Sequence, residues 1–400
     1  MTTKRFLILS DIHACSIDPS KSDAPSYVSS FAAGASGHLD PIRALKEVVE
    51  QETLRPDFIL CAGDLTNRAD PASLTYVWQR LNELARDCGA RLIATIGNHD
   101  LDSRYKANNF DPRGYAMSLE PMLPIPSRER FLEFWAENFT LYTEGSCNFV
   151  VLNTAAYHGG GKEVEREIEH GRISKRTLKL LSDAVSAAPS QSVNVLLCHH
   201  HPLKAEQGDL NLVGQTPGGD ELIDVLSNSA HPWIIVHGHK HHPELFYGFG
   251  GANSPVILAC ASFSAQVNAD AQNKNPNQVH LLICDPAAAE QCGMHSAGEV
   301  LSWTWQSRVG WSRSRDTHGL PHLAGFGYKG STKQLATRVA AYIENQTNRQ
   351  TTWTELVDQI PALLRLIPRD FKQFERELAQ QGLVLLRDPD GICAQVGIKR

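Results

Sequence analysis

Short apolar runs recur through the first three quarters of the chain, and several stop on polar residues with strong ligand chemistry. Phe6 to Leu9 precedes Ser10-Asp11-Ile12-His13, Phe58 to Leu60 precedes Cys61-Ala62-Gly63-Asp64, and Leu92 to Ile96 precedes Gly97-Asn98-His99-Asp100. Val193 to Leu197 runs into Cys198-His199-His200-His201, and Trp233 to Val236 into His237-Gly238-His239-Lys240-His241. Apolar, β-branched runs closed by glycine and polar residues read as buried strands. Between them, Asp40-Pro41 opens a helix with Ile42, Leu45, Val48 and Val49 on one face, and Ser73 to Cys88 forms another. Strand and helix alternate, which predicts a sheet with crossover helices. A strand over Asn148–Leu152, a helix over Ser174–Ala188, and a helix around Phe131 to Phe139 follow. Short strands at Glu244–Phe249, Pro255–Ala259, Val279–Cys284 and Val300–Trp305 then complete a second sheet. The expected fold is α/β, a two-sheet β-sandwich flanked by helices in four layers, over residues 1–306.

Residues 307–330 are rich in Arg, Gly, Ser and His without an apolar period and read as a linker. Arg308, Arg313, Arg315 and Lys329 beside Trp303, Trp305 and Trp311 suit either base stacking or core packing of the tryptophans. Over 331–400, helical patterns at Thr332–Asn345, Thr352–Leu364 and Pro368–Gln381 precede two β-like runs, Leu383–Leu386 and Ile392–Val396. This arrangement resembles a winged-helix domain. It holds ten Lys or Arg against eight Asp or Glu, a difference of +2. A DNA reader usually shows a clearer basic stripe, so protein contact or dimerisation is the favoured role and DNA binding the second.

Composition narrows the classes. The chain has 400 residues, 42% of them hydrophobic, and a formal net charge of -6, which argues against coating nucleic acid or anionic lipid with the whole surface. The amino-terminal residues run straight into a strand, and no run approaches a membrane span. Nine scattered cysteines without a CxxC pair read as reduced thiols, not as a disulfide framework or a cysteine zinc site. A cytoplasmic protein is expected. The loop Cys15–Gly37 is long enough to be a lid, with Tyr27, Phe31 and His38 near substrate or simply solvated, and Gly159-Gly160-Gly161 reads as flexible linker.

Carboxylate, amide and imidazole at five strand ends describe one metal site, because such donors suit divalent first-row cations and a carboxylate can join two of them. Asp11-x-His13, Gly63-Asp64, Gly97-Asn98-His99-Asp100, His199-His200-His201-Pro202 and Gly238-His239-x-His241, in this order, resemble the calcineurin-like metallophosphoesterase family. The resemblance implies the metallophosphoesterase fold and two divalent metal ions (Mn, Fe or Zn) that share a hydroxide and clamp a phosphoryl group. It implies that Asp11, His13 and His241 hold one ion, that Asn98 and His239 hold the other, and that Asp64 bridges. The remaining ligand is His200 by the family's spacing before proline, with His199 its competitor. His201, His237 and His242 become supporting or surface groups. His99 is similar to the family's acid for the leaving oxygen, and Arg68 to its phosphate-binding arginine; Asp100 is expected to cap or hydrogen-bond within its loop.

One departure bears on substrate. Family phosphoprotein phosphatases carry a carboxylate three residues after the bridging aspartate, where this chain has Asn67. A neutral amide supports an imidazolium less than a carboxylate does, which turns the reading to the phosphodiesterase branch. The expected function is hydrolysis of a cyclic nucleotide or other small diester. A nuclease on DNA or RNA and a non-catalytic ligand-sensing module that binds DNA or protein are the alternatives. Partners are thus a phosphorylated small molecule or nucleic acid, with a protein or DNA at the carboxy-terminal domain and no membrane.

Overall fold

The computed structural model describes residues 2–32, 39–102, 111–158, 170–204, 214–266, 275–291, 293–315, 319–346, 348–388 and 391–398. His38 and Gly159-Gly160-Gly161, singled out above, lie outside the described residues. Strands β1 (Lys4–Leu9), β2 (Phe58–Cys61) and β3 (Arg91–Ala94) pair in parallel, with α1 (Pro41–Gln51) and α2 (Pro71–Cys88) as crossovers. Both helices start on an aspartate before proline: Asp40 accepts from the backbone N–H of Ile42 and Arg43, and Asp70 from Ser73. Then come α3 (Pro112–Met117), α4 (Arg128–Glu137), β4 (Phe139–Glu144), β5 (Cys147–Leu152), α5 (Lys175–Ala187), β6 (Val193–Leu197), α6 (Gly219–Ser227), β7 (Ile234–His237), β8 (Glu244–Tyr247) and β9 (Val256–Ala259). The second sheet runs β4-β5-β6-β7-β9-β8, with β5, β6, β7 and β9 parallel. After it come β10 (Gln278–Cys284), α7 (Pro286–Gln291), β11 (Gly298–Gln306), β12 (Gly310–Arg313) and β13 (Leu323–Phe326). The first sheet runs β12-β11-β10-β1-β2-β3, and β13 also pairs with β11.

The sheets face each other because their strands are apolar on both sides. From β5 and β6, Phe149, Val151, Val195 and Leu197 turn into the core shared with β1 and β2. Val150, Leu152 and Leu196 turn outward and pack with Leu181 and Val185 of α5 and Leu222 and Leu226 of α6. The four-layer α/β sandwich predicted from the sequence is the observed fold.

Three expectations need correction. The stretch 307–330 is not a plain linker, since β12 and β13 extend the first sheet. The tryptophans just before it belong to the core: Trp303 and Trp305 are buried in β11, and the indole N–H of Trp303 donates to Glu52 at 3.0 Å. The helix read through Phe139 stops at Glu137, where Asn138 takes φ 68, and Phe139 opens β4 instead. The pattern over Thr352–Leu364 splits at Pro361, whose missing N–H ends the helix.

Beyond β13 lie α8 (Thr332–Glu344), β14 (Gln350–Thr352), α9 (Trp353–Gln359), α10 (Pro368–Gln380), β15 (Leu383–Arg387) and β16 (Cys393–Ile398), around a separate core that includes Leu335, Val339, Leu356, Phe374 and Val396. This unit is tied to the sandwich at one pole. The Arg365 guanidinium lies 2.9 Å from Glu299 and 3.8 Å from Asp285. Lys329 Nζ donates to Ser254 Oγ at 2.7 Å and lies over the Tyr247 ring. Asp285 follows Cys284, which pairs with Lys4 at the start of β1, and Tyr247 pairs with Val256 at the start of β9. These contacts therefore sit at the amino ends of the parallel strands, whereas the polar motifs sit at the carboxyl ends, about 20 Å away for a six-residue strand. Among the described residues no helix is long and apolar enough to cross a membrane.

Candidate metal centre

The carboxyl ends of β1, β2, β3, β6 and β7 converge on one point, the usual place for a ligand at an open α/β sheet edge. Asp11, His13, Asp64, His239 and His241 all adopt left-handed backbone, with φ of 52°, 50°, 52°, 86° and 54°. Such conformations are costly for non-glycine residues and collect at functional sites. Gly97 and Gly238 allow the approach: a Cβ on Gly97 would collide with the Asp64 carboxylate, and one on Gly238 with Ser10 and Asp11.

Two groups of donors result. Asp11, His13 and His241 form one, and His199, His200 and His239 the other, each with its ligand atoms within 4.8 Å of one another. His13 Nε2 lies 3.1 Å from His241 Nε2, which is 3.4 Å from Asp11 Oδ1. Asp11 is fixed from behind, accepting from Ser10 Oγ at 2.6 Å and from the His239 backbone N–H at 3.0 Å. Asp64 stands between the groups. Its Oδ2 is 3.7 Å from His13 Nε2 and 3.3 Å from His199 Nε2, while Oδ1 accepts from the His99 backbone N–H at 2.8 Å. His199 Nε2 is also 3.1 Å from Asn98 Oδ1, and its Nδ1 is 2.7 Å from the carbonyl of Ala62. That carbonyl holds the proton on Nδ1 and turns the Nε2 lone pair to the centre.

His200 is held differently. Its Nδ1 is 2.8 Å from Thr154 Oγ1, its ring stacks on His158, and its Nε2 is buried without a hydrogen-bond partner. An orphaned imidazole nitrogen facing two other imidazoles is what a cation would satisfy. The charges agree. Burial alone would raise Asp11, but His241 beside it overrides this and holds the carboxyl at about 2. Burial opposes ionisation of Asp64 too, yet His199 and His99 keep it well below the usual carboxylate range. Burial and His99 push His13 down to about 3, so its ring is neutral. Against burial, Asp64 raises His199 to about 9, and a cation would take that proton's place. Ionised carboxylates with imidazole and amide donors fit Mn, Fe or Zn.

The sequence-picked residues Asp11, His13, Asp64, Asn98, His99, His199, His200, His239 and His241 thus meet at one centre. Over it opens a cleft of about 340 Å³ lined in part by His13, Asn67, His99, His239, Lys240 and Gln266. His99 Nδ1 is 3.2 Å from Asn67 Oδ1, so the amide occupies the place of the missing carboxylate. Arg68, exposed on the same turn with φ 54°, stands beside Asn67. Asp100 ties two ligand loops together, accepting from Thr66 N at 2.9 Å and Gly97 N at 2.8 Å; burial and Asp64 push it up to about 7. His201 and His237 are buried, with ring centroids 4.3 Å apart. Sequence reasoning missed Thr154, His158 and Gln266, none of which falls in a spaced motif, and gave no role to Lys240, which stands between His239 and His241.

Residues 4–243 match the calcineurin-like phosphoesterase family profile, and the chain belongs to that family, a family of metal-dependent hydrolases. Residues 324–380 match a winged-helix-turn-helix domain associated with calcineurin-like proteins. The chain is 23% identical over 202 residues to a cAMP/cGMP dual specificity phosphodiesterase of Mycobacterium tuberculosis, covering 48% of this chain and 54% of that protein. It is 20% identical over 211 residues to a probable cyclic nucleotide phosphodiesterase of Synechococcus sp., covering 53% and 66%. The chain thus spans about half to two thirds of the length of these relatives. A dimetal phosphatase from Danio rerio is similar in structure at a TM-score of 0.44 and 12% identity, covering 77% of this chain and 98% of that one.

Proposed function

We propose that this protein hydrolyses phosphodiester bonds in a cyclic nucleotide or another small diester, with two divalent cations. The observation that carries this reading is the Asp64 carboxylate standing between two groups of buried donors. Asp11, His13 and His241 would hold one cation, Asn98, His199 and His239 the other, with Asp64 shared and His200 in reach of the second. The cations would supply an activated water and a clamp for phosphoryl oxygens. The chain's own groups do the rest. His99, oriented by Asn67, gives its proton to the departing alcohol oxygen, and the Arg68 fork pairs with a phosphate oxygen. The buried carboxylates and imidazoles hold this arrangement without reorganising.

A diester is favoured over a phosphoprotein because Asn67, not a carboxylate, faces His99. A small substrate is favoured over nucleic acid because the winged-helix unit joins the sandwich at the opposite pole and adds no wall to the cleft. That unit then serves to contact a protein or DNA away from the chemistry. Buried thiols such as Cys61, Cys198 and Cys260 fit a reducing cytoplasm. The test is Mn²⁺-dependent release of nitrophenol from bis(4-nitrophenyl) phosphate against 4-nitrophenyl phosphate. Faster turnover of the diester supports the reading; no hydrolysis of either by metal-loaded protein supports a ligand sensor instead.

A further inference from the structure

The cleft of about 340 Å³ over the centre draws its lining from three sources. His13, Asn67 and His99 come from the turns after β1, β2 and β3, and His239, Lys240 and His241 from the turn after β7. Pro25, Ala265 and Gln266 form a further wall. That wall is fixed: Ser26 and Ala265 pair as a β-bridge, and Gln266 Nε2 donates to the carbonyls of Pro19 at 3.0 Å and Ser26 at 3.2 Å. A side-chain amide has two hydrogens to give, so Gln266 keeps none for a ligand. Among the described residues lining the cleft there is no Asp or Glu and no Phe, Tyr or Trp. The cleft thus sets no carboxylate against an anion and, imidazoles apart, offers no ring on which a base could stack.

Lys240 supplies the charge of this lining. It is half-buried and is the one Lys or Arg among the described residues that line the cleft. Its place in the chain sets it between the two donor groups, since His239 belongs to one and His241 to the other. Left-handed backbone on both sides, with φ of 86° at His239 and 54° at His241, keeps this turn tight. Consecutive Cα atoms stand about 3.8 Å apart and the lysine stem is four carbons long, so the ammonium reaches a group bonded next to whatever phosphorus the centre holds. An ammonium binds phosphate as a point charge. A simple diester has one negative charge, at the phosphorus under attack, whereas a diphosphate bridge sets a second one a single oxygen away.

We infer that Lys240 binds a second phosphoryl group beside the one attacked, so that a diester of diphosphate is preferred to a diester of a single phosphate. This rests on the hydrolytic reading of the centre and narrows its substrate. In the reaction the oxygen of water bonds to one phosphorus, and that phosphorus releases the bridging oxygen, which departs with the second phosphoryl group. Two monoesters form, and the two protons of water leave on them or pass to solvent. Lys240 offsets the charge that gathers on the departing phosphoryl oxygen, where an alkoxide needs a proton from His99.

The test uses full-length, Mn²⁺-saturated protein. Calorimetry compares methylenediphosphonate, which resists hydrolysis, with methylphosphonate, and phosphorus NMR compares kcat/KM on symmetrical diphenyl diphosphate and on diphenyl phosphate. Lys240→Met keeps the stem and removes the charge; Lys240→Arg restores the charge. Wild-type protein should favour the diphosphorus compound of each pair. Lys240→Met should lower both ratios ~10-fold to ~100-fold, the scale of one hydrogen bond to a charged group, and Lys240→Arg should recover most of the loss. No wild-type preference in affinity overturns the inference, and so do ratios that stay within twofold in Lys240→Met. Absent turnover of both esters alongside an affinity ratio that depends on Lys240 would sink the hydrolytic reading and leave the anion subsite standing. Turnover of diphenyl phosphate with ratios indifferent to Lys240 would do the reverse.

Discussion

Replacing His99 by alanine removes one ring and little else. The backbone N–H of residue 99 would still donate to Asp64, and the Gly97 and Asp100 contacts that shape the turn do not involve the side chain. What disappears is an imidazole held at 3.2 Å by Asn67 and packed edge-on against His13 at 4.6 Å between ring centres. A general acid contributes ~100-fold to ~10,000-fold, about 2.7 to 5.4 kcal/mol at 1.36 kcal/mol per tenfold. Hydrogen bonds to an ionised partner are roughly twice as strong as neutral ones, and Asn67 is neutral, which puts the expected loss in the lower half of that range. The loss should depend on the leaving group. An alkoxide departs poorly without a proton and should show the full ~100-fold to ~1,000-fold fall in kcat, whereas nitrophenolate departs readily and should show ~10-fold or less. The assay compares kcat on a cyclic nucleotide and on bis(4-nitrophenyl) phosphate, with metal content measured on the same samples. Equal losses on both substrates, or a fall in bound metal, would refute the assigned role.

Other perturbations probe the remaining structure. His199→Ala removes the imidazole shared between Asn98 and Asp64 and should cost one cation per chain, whereas Thr154→Val frees only the His200 ring and should lower affinity ~10-fold to ~100-fold, as for other supporting groups; chelator competition reads both. Arg365→Ala removes the partner of two half-buried carboxylates at the opposite pole and should destabilise the fold by ~1–2 kcal/mol, read as a lower urea midpoint, with kcat on a small diester unchanged. Burial pushes His13 and His280 down to about 3, and His158 and His237 down to about 4. The unfolded chain binds protons on these groups from about pH 6.5 downward while the folded one does not, so metal-free protein should lose stability between about pH 6.5 and 4. Urea midpoints that stay constant or rise on acidification would contradict this.

The centre was legible because every proposed ligand sits in a motif that ends an apolar run, and a parallel sheet brings such ends to one edge. The three-histidine run was ambiguous for a physical reason. His199 and His200 both leave the end of β6 with buried rings, and what separates their roles is a carbonyl on Ala62 and a hydroxyl on Thr154, contacts between distant segments. Strands β12 and β13 escaped notice because they are four-residue pieces whose glycines, serine and arginine carry little apolar pattern. The aromatic spacing of Phe131, Phe134 and Trp135 runs into Phe139, so a helix and the strand after it read as one; only the left-handed Asn138 divides them. The pole at which the winged-helix unit docks depends on Lys329 and Arg365 finding partners far away in sequence, which no local pattern encodes.

The account stands on Asp64 joining two cation sites, and metal content per chain tests this most directly. Elemental analysis of wild-type protein should find two divalent cations per chain, and Asp64→Ala should hold one or none with diester hydrolysis lost. Two cations retained by Asp64→Ala, or undiminished hydrolysis by thoroughly chelated wild-type protein, would contradict it.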